Sequence, residues 1–76
     1  MKNGIIRSGT MEQEVWDTIL ALQGKHFHTE HIYGKLPHYT PDQLVASIIG
    51  LYAEGALVRI AHGIYRQNEE GQVIVL

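Results

Sequence analysis

Five histidines, His26, His28, His31, His38 and His62, are the side chains of this sequence most suited to chemistry. Imidazole nitrogens are good zinc ligands, and three of these residues lie close together. Their spacing nevertheless matches no common zinc arrangement, there is no cysteine to complete one, and His26 shares a face with His28 only in an extended segment. No metal or other cofactor is therefore expected, and the histidines read as exposed, titrating groups. Protonating all five would carry the formal charge from −2 to +3, so any nucleic-acid affinity should strengthen as pH falls from about 8 to about 6. Arg59 and Arg66 flank His62-Gly63. In a hairpin closed by that dipeptide they fall opposite one another, where like charges destabilise unless a phosphate, an acidic side chain or solvent relieves them. Catalysis has little to work with. No glycine-rich phosphate loop follows a strand, no carboxylate pair has matched spacing, and neither Ser8 nor Ser47 has evident triad partners. A non-enzyme is expected, with His62 at a tight turn as the one acid/base option.

Composition narrows the frame around these residues. A chain of 76 residues, 45% hydrophobic and 18% charged, has room for one domain. Folding at this size buries only about 60% of the unfolded surface, so the apolar residues are needed for one core and not for a cofactor pocket. No apolar run approaches the roughly 18 residues of a membrane span, and Met1 to Thr10 lacks the apolar stretch of a signal peptide. The expectation is a cytoplasmic protein with no membrane partner.

Residues 1–9 read as a flexible lead-in or a short edge strand, ahead of a single domain over 10–76. Thr10-Met11-Glu12-Gln13 fits a capping box and opens a first helix over Met11–Gln23, with Val15, Trp16, Ile19 and Leu20 as its apolar stripe and Gly24 ending it. Phe27 between histidines suits a very short strand. Thr29 is the expected cap of a second helix over Glu30–Leu36, stopped by Pro37. Thr40-Pro41-Asp42-Gln43 combines a threonine cap, proline at the first helical position and an acidic first turn. The third helix that follows carries Leu44, Val45, Ile48, Ile49, Leu51 and Tyr52 as its core stripe and ends at Glu54-Gly55. Its other face is small and polar, with Asp42, Gln43, Ala46, Ser47, Gly50 and Glu54. The period then falls to two: Leu57–Ala61 and Ile64–Gln67 form a hairpin over His62-Gly63, and Gln72–Leu76 a last strand that can extend it.

Leu51-Tyr52-Ala53-Glu54-Gly55-Ala56-Leu57-Val58-Arg59 resembles the junction after the recognition helix in the winged helix-turn-helix superfamily. Gly63-Ile64-Tyr65-Arg66 is similar to the returning strand of its wing. The resemblance spans roughly residues 10–67 and implies an α+β fold: three helices, a C-terminal β-hairpin wing and room for a third strand. In members that bind DNA, the third helix enters the major groove and the wing touches the backbone. Carried over, that places Thr40, Gln43, Ala46 and Ser47 toward bases, with Gln43 able to read adenine. Beside them the basic or titratable Lys35, His38, Arg59, His62 and Arg66 are candidate nucleic-acid contacts, and Tyr39, in the turn before the third helix, either hydrogen-bonds a phosphate through its phenol or packs against the first helix.

Two functions follow. One is a small transcription or replication regulator of prokaryotic or mobile-element type that binds double-stranded DNA, as a dimer on paired half-sites. The other is a winged-helix module that binds protein or self-associates through the C-terminal strands without autonomous DNA binding. Arginine, the commonest base reader, is missing from the third helix, and Asp42 and Glu54 would meet phosphates unfavourably. Ile64, Val73 and Val75 are apolar for an outward strand face, and Leu76 is expected to be exposed.

Overall fold

The structure, a computed structural model, describes residues 3–76. Its elements in chain order are β1 (Asn3–Ile6), α1 (Met11–Leu20), β2 (Phe27–His28), α2 (Thr29–Lys35), α3 (Pro41–Ala53), β3 (Leu57–Ala61), β4 (Ile64–Gln67) and β5 (Gln72–Val75). This is the expected α+β arrangement of three helices, an antiparallel hairpin and an additional strand. The three helices and the hairpin sheet enclose one core of Val15, Trp16, Ile19, Phe27, Ile32, Leu44, Ile48, Leu51, Leu57 and Tyr65.

The caps explain where the helices begin. Thr40 Oγ1 accepts from the Gln43 N–H at 3.2 Å while the Thr40 N–H donates to Gln43 Oε1 at 3.0 Å, so both orphan amides are satisfied reciprocally. In α1 the Thr10 hydroxyl accepts from the Gln13 N–H, but the Gln13 side chain reaches one residue further back, to the Gly9 N–H. The helix also ends earlier than expected, at Leu20 and not Gln23, because the next turns close through Leu22 N–H to Ile19 O and Gln23 N–H to Leu20 O. The cap of α2 is His28, not Thr29: its Nδ1 accepts from the Glu30 N–H at 3.1 Å. Thr29 is helical and buried.

Of the two readings of the lead-in, the short edge strand is the one found: it is β1, parallel to β5 with Ile5 beside Ile74, and it drives Ile6 into the core at 0% exposure. Two other expectations about the strands are corrected. The last strand does not extend the hairpin. The third strand there is β2, in the order β2-β4-β3, while β5 leaves to pair with β1 in a separate sheet of two. The turn between β4 and β5 sends it there. Asn68 donates from Nδ2 to Gly55 O at 2.9 Å and from its N–H to Ala56 O, tying this turn to the end of α3. A Cβ on Gly71 would lie 2.7 Å from Gly55 O, so only glycine permits that approach.

The second correction concerns register. His62-Gly63 forms the turn as expected, with Gly63 at φ 74° and Ala61 beside Ile64. A bulge then intervenes between Arg59 and Ala61, so Arg59 pairs with Tyr65 and Arg66 with Val58. The extra residue, Ile60, shifts the ladder by one and separates the two arginines. The turn is also anchored to α2 by Thr29 N–H donating to Gly63 O at 3.0 Å.

Ile6→Ala should lower the unfolding free energy by about 2–5 kcal/mol in chemical denaturation. A change within about 0.5 kcal/mol, typical of a surface site, would mean that residues 3–6 contribute no packing.

Candidate interaction surface

The residues expected around the start of α3 are largely occupied within the fold. Thr40 and the amide oxygen of Gln43 hold the capping box, so bidentate reading of a base by Gln43 would require opening the cap. Tyr39 donates its phenol proton to Glu14 of α1, and His38 Nε2 lies 3.4 Å from the other oxygen of the same carboxylate. The His38 and Tyr39 rings are adjacent, with centroids 4.3 Å apart. This contact brings the α2–α3 turn onto α1 and holds the Tyr39 pKa above its ordinary value of 10.0. The hydrogen bond to Glu14 is the largest cause, followed by desolvation and repulsion between phenolate and carboxylate. Lys35 stands exposed in the last turn of α2, where a cation complements the helix dipole.

Ser47 is a correction. It is 4% exposed, and its Oγ has no hydrogen-bond partner among the described residues, so it is part of the interior and not of a base-reading face. The reason is the rotation of α3. Leu44, Ile48 and Leu51 are fully buried, and Ser47 lies on the same stripe. Ile49 and Tyr52, expected in the core, are instead 50% and 43% exposed.

The wing residues divide. Arg59 Nη2 lies 3.4 Å from His62 Nδ1 at the surface, whereas Arg66 donates to the backbone oxygen of Gln67 on the neighbouring residue. The expected nucleic-acid contacts therefore do not form one cluster: His38 and Tyr39 are held on α1, Arg59 and His62 share the wing tip, and Arg66 is turned aside.

Two apolar surfaces emerge, of which residue types had pointed to the one at the C-terminal strand and not to the other. Along α3 and the wing, a depression of about 330 Å³ is lined by Val45, Ile49, His62 and Tyr65, and a second of about 470 Å³ by Tyr52, Ala53, Leu57 and Val58. Arg59 borders both. A signal for this surface was present: six large apolar residues around α3 form a stripe too wide for one side of a small core to cover. The other surface belongs to the two-stranded sheet. Ile5, Ile74 and Val75 are exposed there, with Leu76 at 66%, whereas Ile64 and Val73 are only half-exposed.

Among the described residues no group of histidine, cysteine or acidic side chains could hold a metal ion, and no helix is long and apolar enough to cross a membrane. Comparison with protein-family models, with curated proteins and with solved structures finds no match.

Glu14→Gln should let Tyr39 ionise at lower pH, read as phenolate absorbance in a titration, because both the charge and the strong acceptor are lost. The sign for stability is set by the same shift. The contact helps the fold below the ordinary phenol pKa of 10.0 and is lost as pH rises through the raised value. Ser47→Ala should leave stability unchanged or raise it by up to about 1 kcal/mol in denaturant melts, since the hydroxyl is desolvated without a partner. A marked loss of stability would show that the hydroxyl is satisfied.

Proposed function

We propose that this chain is a non-catalytic winged-helix interaction module that works as a symmetric pair joined through its C-terminal strand. The observation that carries the reading is β5, which among the described residues pairs with β1 on one side and with no strand on the other. Its residues, Gln72-Val73-Ile74-Val75, include no charge and no proline. Soluble proteins usually blunt an open edge with such residues or with a bulge, because unpaired N–H and C=O groups invite another strand. Parallel pairs are rarely left uncovered, and sheets of two strands are marginal by themselves. Antiparallel pairing of β5 with its copy about a two-fold axis would build a four-stranded sheet and place no like charges opposite one another. Exposed Ile5, Ile74 and Leu76 border that junction.

The arrangement of α3 favours this reading over autonomous DNA binding. The outward residues of α3 include Ala46, Ile49, Tyr52 and Ala53, and the helix has no cation, while Asp42 and Glu54 lie at its ends. Affinity for duplex DNA rests mainly on phosphate neutralisation, for which this helix supplies nothing.

Sedimentation velocity over a range of concentrations should reveal a monomer–dimer equilibrium. Ile74→Lys should shift it to monomer by placing two lysines near the axis, with the circular dichroism of the domain retained. A monomer at every concentration contradicts the proposal. Tight, salt-sensitive binding of random duplex DNA by that monomer would establish the nucleic-acid reading instead.

A further inference from the structure

Arg59 occupies an unusual position. Its side chain borders both depressions of the α3–wing face, with Val45, Ile49 and Tyr65 on one side and Tyr52, Leu57 and Val58 on the other. The two depressions are joined by an aromatic contact, since Tyr52 of one and Tyr65 of the other meet edge-on with ring centroids 5.8 Å apart. The partner of its guanidinium is His62, at 3.4 Å. A neutral imidazole can accept a hydrogen bond but cannot neutralise the charge, and a protonated one would repel it. Among the described residues the one ion pair is His38 with Glu14, on α1, so Arg59 has no carboxylate. The bulge at the wing contributes to this arrangement by pairing Arg59 with Tyr65 rather than with Arg66.

A cation between two apolar hollows defines a complementary ligand. We infer that the α3–wing face binds an acidic amphipathic segment of another protein, with a large apolar side chain in each depression and an aspartate or glutamate between them on Arg59. Apolar anchors would cover Ile49 and Tyr52, which are otherwise half in water, and the carboxylate would form the charge-assisted, fork-shaped contact that arginine favours. Such a partner matches the sign of the wing tip. A nucleic acid would match that sign but not the hydrophobic lining. This site lies on elements different from β5, so it stands or falls separately from the proposed pairing of two copies.

The test begins with selection of a random peptide library, displayed on phage, against the full chain. Enriched peptides should carry a carboxylate flanked by large apolar residues. Fluorescence anisotropy with a synthetic peptide of the enriched sequence should show affinity reduced about tenfold or more by Arg59→Glu and by Ile49→Asp, but unchanged by Arg66→Glu. Exchanging the acidic residue of the peptide for lysine should restore binding to the Arg59→Glu protein. That charge reversal separates a direct contact from damage to the fold, which circular dichroism also monitors. The inference is overturned if no peptide is enriched, if enriched peptides lack carboxylates, or if Arg59→Glu binds them equally well. It is also overturned if Ile49→Asp abolishes self-association, or if random duplex DNA perturbs the amide resonances of α3 and the wing, since the face would then belong to a second copy or to nucleic acid.

Discussion

The rotation of α3 about its own axis is the constraint on which the rest of the molecule depends. Leu44, Ile48 and Leu51 lock into the core against α1, α2 and the hairpin sheet, and every other residue of the helix is placed by that choice. At about 100° per residue, fixing one stripe leaves no freedom for the others. Ser47 is carried inward with an unpartnered hydroxyl, while Ile49 and Tyr52 are carried outward. The helix therefore presents Ile49 and Tyr52 beside the exposed Asp42, Gln43, Ala46 and Glu54 of its small polar face.

The hairpin depends on the same packing. Leu57 at the open end of the ladder and Tyr65 toward the turn bury against the core, and the turn itself is tied to α2 by the Gly63 carbonyl. A bulge between Leu57 and the turn re-aims Arg59 toward the groove rather than across to Arg66. On the far side, Asn68 and Gly71 hold the following turn against the end of α3, which delivers β5 to β1 instead of to the hairpin. The two exposed apolar surfaces are thus consequences of how α3 and its neighbouring turns are fixed.

Much of this was legible in the sequence because it is local. Thr40-Pro41-Asp42-Gln43 specifies a helix start through its own side chains, and His62-Gly63 specifies a tight turn through backbone freedom at Gly63. What could not be read is what depends on distant partners. Ile5-Ile6 allows a strand without naming β5 as its partner, and a single-residue bulge at Ile60 leaves no mark in an alternating pattern. For α3 the apolar residues span adjacent stripes, so periodicity identified a helix without saying which stripe the core would take. Of the expected site residues Ser47 is buried, while capping at Thr40 and Gln43 and the hold of Glu14 on His38 and Tyr39 occupy groups that binding would need.

The absence of cysteine from the sequence allows the rotation of α3 to be measured directly. Single cysteines placed at Val45, Ser47, Ile49 and Tyr52 would each report their accessibility through the rate of alkylation in native buffer. Fast reaction at 49 and 52, intermediate reaction at 45 and strong protection at 47 are the expected result. Reaction at 47 as fast as at 49, in a protein whose circular dichroism is unchanged, would contradict the buried stripe and with it the apolar face on which the functional reading rests.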